Sequence, residues 1–349
     1  MKYLSPMVAT CLLLIAALPE MGTCQSSNFK MSWVTYKSDS RDLNFPIVAD
    51  DFTRLVTIEK INQQLQLSEL ELLKGFEKNN IFENVAADNG TIYGGKVRLI
   101  YSVNSNNKKL FSIGFDESSC GMTCTYWHRY YNFNAGNGDL IQLSDLFDQQ
   151  KFNVFKSQIV KKSIRNFKRQ LHNQGEPDSV WVDVIKDLGK TNLDDFYIKG
   201  NTLVIDGDNC LSKNQKGWDM IVRFGLAEFK NYLNDYGRCV FGLNDDNISN
   251  YKSNSLPQLF TGKIDKYPVT LILRPAYENH YDGIYCYQKY GKGISLQGTV
   301  AKGKLNLDEY NDRFDVKVHI SGVLKRDSIV ANWTLKSKDQ PLKLVVYRK

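Results

Sequence analysis

From about residue 257 to the C-terminus, apolar side chains return at every second position in one short run after another. Val269/Leu271/Leu273, Leu305/Leu307, Phe314/Val316/Val318/Ile320, Ile329/Ala331/Trp333/Leu335 and Leu342/Leu344/Val346 are the clearest. A period of two puts one face of each strand into a core and the other into water. About eight such runs follow one another, parted by turns rich in Gly, Asn, Asp and Lys and by no helical pattern. Even spacing of this kind predicts an all-β up-and-down barrel over residues 257–349. Ile284/Cys286 and Ile294/Leu296 are read as inward pairs, which turns Tyr285 and Tyr287 outward.

The chain before residue 244 is organised differently. Lys30 to Tyr36 alternate as a strand. Leu55, Ile58, Ile61 and Leu65 recur at helical spacing, with Asp50 or Asp51 as a cap. A strand pair, Lys96–Val103 and Leu110–Phe115, turns at residues 104–107, and an aromatic strand runs from Thr125 to Phe133. The longest helix is expected from Ser144 or Asp148 to about His172, burying Phe152, Phe155, Ile159, Phe167 and Leu171. Further helices are expected over 178–188 and over Ala227–Asp235, the latter ended by Gly237. Short strands are expected at Phe196–Lys199, Thr202–Ile205 and Met220–Phe224. Strands and helices interleave without strict βαβ alternation, which predicts an α+β domain with an antiparallel sheet and helices on one face over 25–243. Residues 244–256 are polar and end at Pro257, which reads as a linker.

The N-terminus looks like a secretory signal over 1–24: Lys2, an apolar run from Met7 to Leu18, and small residues at Gly22-Thr23-Cys24. The run falls short of the ~20 apolar residues that span a bilayer. Cys24 could carry a lipid, but Met21 and Thr23 stand where lipid attachment wants Leu and a small Gly or Ala. Export to a periplasmic or extracellular setting permits disulfides. Of the five cysteines after residue 24, Cys120 and Cys124 flank a tight turn and form the best pair, with Cys210 and Cys239 a weaker second. Residues 257–349 hold 16 Lys plus Arg against 9 Asp plus Glu, so this segment alone accounts for the chain's net +7. That charge suits an approach to an anionic surface; equally, it suits solvated lysines alternating with core residues.

Two stretches resemble known families. The phrase Asn134-Ala135-Gly136-Asn137-Gly138-Asp139-Leu140-Ile141-Gln142-Leu143-Ser144-Asp145-Leu146-Phe147 has a later counterpart in Leu203-Val204-Ile205, Phe224, Phe229, Tyr232-Leu233 and Tyr236-Gly237. Together they resemble a domain of unknown function. It occurs in the outer part of lysozyme-sensing anti-sigma factors and as a module of secreted polysaccharide deacetylases. The resemblance covers about 95–240, with 28–90 similar to the smaller segment that precedes it. Many relatives carry Gly-Gly-Ala-His between the central strands, where this chain has the Cys120–Cys124 loop. In the second half, Gly283-Ile284-Tyr285-Cys286-Tyr287, Ile294-Ser295-Leu296-Gln297-Gly298, Leu307-Asp308-Glu309 and Asn332-Trp333 resemble a small calycin-like barrel of secreted bacterial proteins. The resemblance implies an extracytoplasmic location and brings no catalytic constellation.

Residue chemistry points the same way. Only His128, His172, His280 and His319 are present, scattered, so the Asp and paired His of a metal deacetylase are missing. Zinc at Cys120 and Cys124 would need His128 and a further ligand. A Cys120–His128 nucleophile would be silenced by the disulfide. Asp116, Glu117 and Glu309 remain as carboxylates that a fold could pair, as in glycosidases. Tyr126, Trp127, Tyr130 and Tyr131 are the candidate ligand-binding residues, because aromatics anchor sugars and protein partners through stiff, large contact area. Alternate members, for example Trp127 and Tyr131, could instead be sheet core. The expectation is a non-catalytic envelope protein without metal or cofactor, bound to an extracytoplasmic protein or glycan, lysozyme or the cell wall being the specific forms. Neither a nucleic-acid partner nor a membrane span is expected. An unrecognised secreted hydrolase acting on a glycan or peptidoglycan is the alternative.

Overall fold

The computed structural model describes residues 29–49, 54–73, 75, 81–86, 95–121, 123–188, 193, 195–208, 217–276, 279–310, 315–338 and 340–349. The expected signal segment, Cys24, Cys210, Phe314 and the cap at Asp50 or Asp51 lie outside them.

The first half is layered. Strands β1 (Lys30–Ser38), β2 (Arg41–Ala49), β3 (Lys96–Asn106), β4 (Leu110–Cys120) and β5 (Cys124–Asn134) form one sheet in chain order. All neighbours are antiparallel except β2 and β3, which run parallel because helix α1 (Leu55–Leu70) crosses between them. One face of this sheet carries Phe45, Phe111, Phe115, Tyr131 and Phe133, packed on Ile58, Ile61 and Leu65 of α1. The other face meets a three-stranded sheet of β6 (Phe196–Lys199), β7 (Thr202–Asp206) and β8 (Ile221–Gly225).

Helix α2 (Gln149–Gln174) backs that second sheet. Asp148 starts it by accepting from the backbone N–H groups of Gln150 and Lys151, and Gly175, at φ +74°, ends it in the left-handed conformation that glycine adopts most cheaply. The expected stripe holds: Phe155, Ile159, Phe167 and Leu171 are buried, and Phe152 packs against the core from its edge. Full burial of such side chains contributes roughly 1.5–3 kcal/mol each. Helix α3 (Val182–Leu188) follows a short 3-10 turn.

One helix boundary differs from expectation. The helix read over Ala227–Asp235 is divided into α4 (Leu226–Phe229), a 3-10 turn and α5 (Asp235–Val240). Gly237 therefore lies inside a helix. Its role is steric, since a Cβ there would come within 2.1 Å of the Leu146 carbonyl oxygen.

The second half is a closed barrel. Strands β9 (Gln258–Ile264), β10 (Tyr267–Pro275), β11 (His280–Tyr287), β12 (Gly293–Ala301), β13 (Lys304–Tyr310), β14 (Val316–Lys325), β15 (Ser328–Leu335) and β16 (Leu342–Arg348) pair antiparallel in sequence, and β16 closes on β9. Val269, Leu271, Leu273, Leu307, Val318 and Val346 fill the interior. Lys263, Lys304, Lys317 and Lys343 alternate with core positions on the outside. The face assignment at β11 is reversed. Tyr285 points into the barrel core, whereas Ile284 and Cys286 lie on the outside, buried with Leu259 and Ile272 beneath Leu67 of α1. Because α1 covers this outer patch, both faces of β11 are apolar and alternation alone does not orient it.

Residues 244–256 are not a free tether. The Asn134 side-chain amide donates to the carbonyls of Ile248 (2.9 Å) and Tyr251 (3.1 Å). Ser253 is buried, and its hydroxyl donates to Asp145 at 2.5 Å. Arg348, near the C-terminus, donates to the Ser253 carbonyl and to Asp139 (2.6 Å). Polar residues that looked solvent-directed are satisfied by the loop at 134–145. No helix among the described residues is long and apolar enough to cross a membrane.

Candidate functional site

Strand β5 is the last strand of its sheet, and its pairing with β4 is unbroken from Asn134 opposite Leu110 to Cys124 opposite Cys120. A disulfide joins Cys120 and Cys124 at the tip, their Cα atoms 4.0 Å apart. Along the outer edge of β5 runs a cleft of about 440 Å³. Trp127, Arg129 and Tyr131 border it from the sheet, Asp195 from the start of β6, and Pro257 and Arg274 from the barrel. A smaller cleft of about 230 Å³ between α1 and the barrel shares Arg129 and Arg274. The site thus lies where the two halves of the chain meet.

The candidate aromatics separate by strand parity. Tyr126 is 56% exposed beside the disulfide. Tyr130 is half-buried, stacks near Tyr197 with centroids 4.9 Å apart, and donates its hydroxyl to Asp206 at 2.9 Å. Burial and the adjacent Asp206 charge push that phenol's pKa upward. Trp127 is half-buried, and its indole N–H is enclosed with no acceptor among the described residues. Tyr131 is a correction. It is buried in the core between Phe115 and Phe133, and its hydroxyl donates to Glu69, so only a 6% margin of it reaches the cleft wall.

Behind the cleft floor is an ionic cluster that local sequence does not reveal. Glu69 at the end of α1 and Glu117 on β4 have no side-chain exposure. Lys96 contacts both carboxylates, lying 2.9 Å from Glu69, and Arg129 approaches them at 3.7 and 3.8 Å. The two acids are driven apart. Burial and the Glu69 charge raise the Glu117 pKa to about 7. Glu69 lies well below the usual carboxylate range: burial opposes its ionisation, but the charges of Lys96 and Arg129 and the hydrogen bond from Tyr131 outweigh that cost. Below about pH 7 these shifts favour a proton on Glu117 and a negative charge on Glu69. Arg129 is held protonated chiefly by the Glu69 charge, with 39% of its side chain still exposed.

On the opposite face of β5, His128 bridges two acids. Its Nδ1 is 3.3 Å from Asp206, an ionic contact without good hydrogen-bond alignment, and its Nε2 is 3.7 Å from Asp116. Interaction with Asp206 raises the imidazole pKa despite partial burial. Asp116 is also held by Arg98 at 2.8 Å.

Of the carboxylates singled out from sequence, Glu117 meets Glu69, Asp116 meets His128, and Glu309 sits in the barrel with Tyr285 (2.7 Å) and Lys317 (2.9 Å). Cys239 carries a free buried thiol whose Sγ donates to the Asp246 carbonyl at 3.1 Å, and Cys210, its expected partner, lies outside the described residues. Among the described residues no group of three or more His, Cys, Asp or Glu side chains could hold a metal ion.

No family model matches the chain, and no curated protein matches it. Among solved structures it is similar to a member of the DUF3298 family from Bacteroides fragilis. Identity is 9%, the TM-score is 0.43, and the match covers 64% of this chain and 100% of that one.

Proposed function

We propose that the protein is a non-catalytic envelope protein, secreted or periplasmic, that binds an extracytoplasmic protein or glycan along the outer edge of β5. The cleft at that edge carries the reading. It joins half-buried Trp127 to two arginines, Arg129 and Arg274, drawn from different halves of the chain, and exposed Tyr126 stands next to Trp127 on the neighbouring face of β5. Aromatic anchors with adjacent guanidinium groups are the side chains most often found at the centre of recognition surfaces. The resemblance of residues 95–240 to the outer domain of lysozyme-sensing proteins makes lysozyme or a wall fragment the first ligands to try.

The second reading, a hydrolase, is favoured by the Glu69–Glu117 pair, because displaced carboxylate pKa values can mark an acid and a base. Their enclosure argues against it, since no substrate atom reaches a side chain without exposure. One experiment separates the readings. Purified protein is titrated with lysozyme and with soluble peptidoglycan fragments, and the fragments are then analysed for cleavage. Saturable binding without cleavage, weakened by ~1–2 kcal/mol in Tyr126→Ala, supports the binding role. Cleavage abolished by Glu117→Gln overturns it.

A further inference from the structure

Antiparallel pairing gives each residue of β5 a fixed direction for its backbone groups. Members of one parity turn both N–H and C=O toward β4, and members of the other turn both away. The parity is set at the C-terminal end of the strand. There the Asn132 carbonyl accepts from Ile141 N–H at 2.7 Å and the Asn134 N–H donates to Asp139 at 2.9 Å, both away from β4. The unbroken register carries the same orientation back to Tyr130 and His128. Residues 139–141 cover the edge beside 132–134, and no described strand pairs with it at 128 or 130. The open edge lies along the cleft.

Two residues that line the cleft, Trp127 and Arg274, each hold an enclosed donor without an acceptor among the described residues, and Arg274 brings a guanidinium charge to its wall. Half-exposed Arg129 adds a second guanidinium. The lining carboxylate, Asp195, already has a partner.

We propose that this edge accepts an extended peptide segment as an added strand, with a peptide carboxylate seated on Arg274 and Arg129. This rests on the binding role proposed above and names its ligand class. Outward groups at 128 and 130 lie about 7 Å apart, the two-residue repeat of a strand. They match the alternate N–H and C=O groups of an extended peptide, whereas a sugar chain has no such repeat. In strand addition the main chain supplies affinity and alternate side chains supply selectivity.

The test pans a random heptapeptide display library against the full chain. Enriched peptides are then synthesised with their acidic residue intact or replaced by the corresponding amide. The expected peptides carry an Asp or Glu within alternating β-forming residues. They slow hydrogen exchange at the His128 and Tyr130 amides, and they lose tenfold or more in affinity on amide replacement or in Arg274→Gln. Melting curves confirm that the Arg274→Gln variant folds. Absence of acidic enrichment, or binding without protection of the β5 amides, overturns the inference. A parallel arm uses oligogalacturonate. Arg274-dependent binding of that polymer, with no peptide enriched, refutes the peptide assignment and leaves the binding role standing. Cleavage in the peptidoglycan assay refutes the binding role itself.

Discussion

Replacing Glu117 by Gln tests the buried proton directly. Glu117 has its carboxyl pKa raised from an ordinary 4.5 to about 7 by burial and by Glu69. A raised pKa means that the folded state holds the proton more tightly than the unfolded chain does. The associated stability is fully present below pH 4.5 and is lost as pH climbs through 7. The displacement corresponds to about 3 kcal/mol. Glu69 works in the opposite sense: its contribution is present above pH 4.5 and is lost as pH falls. It therefore stays constant across the window in which Glu117 titrates. Glutamine keeps the shape and cannot ionise, so the variant lacks the pH-dependent loss. Any altered contact with Lys96 adds an offset that is the same at every pH. The melting temperature of the variant minus that of the wild type should rise between pH 5 and pH 8 by roughly 6 °C, at about 2 °C per kcal/mol. Differential scanning calorimetry at half-unit pH steps measures it. A difference that stays flat across this range would refute the assignment of the proton to Glu117.

Three further outcomes follow from the packing. Asp139→Ala removes the shared partner of buried Lys60 and Arg348, and urea unfolding should show a loss of about 3–5 kcal/mol. Limited proteolysis of the native chain should spare residues 244–256, because Ser253 is enclosed and the segment is bonded to Asn134 and Asp145; early cutting there would show that these bonds do not persist in solution. Tyr131→Ala should lower the melting temperature, as removal of a buried aromatic costs about 3–5 kcal/mol, whereas Tyr126→Ala should leave it nearly unchanged. Equal effects of the two on melting would contradict the parity of β5.

Legibility in sequence tracked whether the deciding partner was local. Helix α2 could be read because its stripe and its Asp148 cap are short-range signals. The barrel strands could be read because each needs only alternation. Strand β11 was misoriented because α1, far away in sequence, makes its outer face as apolar as its inner one. Residues 244–256 misled for a related reason. Composition does not distinguish an Asn or Ser satisfied by water from one satisfied by another segment. The Glu69–Glu117 pair and the Arg129–Arg274 cleft had no local signal at all, since each joins elements that only the tertiary fold brings together.

That same tertiary arrangement bears on how the cleft works. Helix α1 carries the first sheet on one side and the outer barrel wall on the other, through Leu67 against Leu259, Ile272 and Ile284. Just beyond it, Gly293 N–H donates to the Glu71 carbonyl at 2.7 Å and Leu73 N–H to Gly291 at 2.7 Å, tying the chain after α1 to the barrel. Gly293 is required there, because a Cβ would come within 2.6 Å of the Glu71 oxygen. At the other end of the chain, Arg348 reaches Asp139, and Lys349 reaches Glu59 at 3.0 Å. Arg129 and Arg274 therefore stand on walls joined at several separate points. A pair of guanidinium groups held in this way loses little freedom on meeting a ligand, which is how preorganisation turns a few contacts into affinity. In the proposed binding role the barrel's contribution is then positional as well as direct: it supplies Arg274 and fixes its distance from β5.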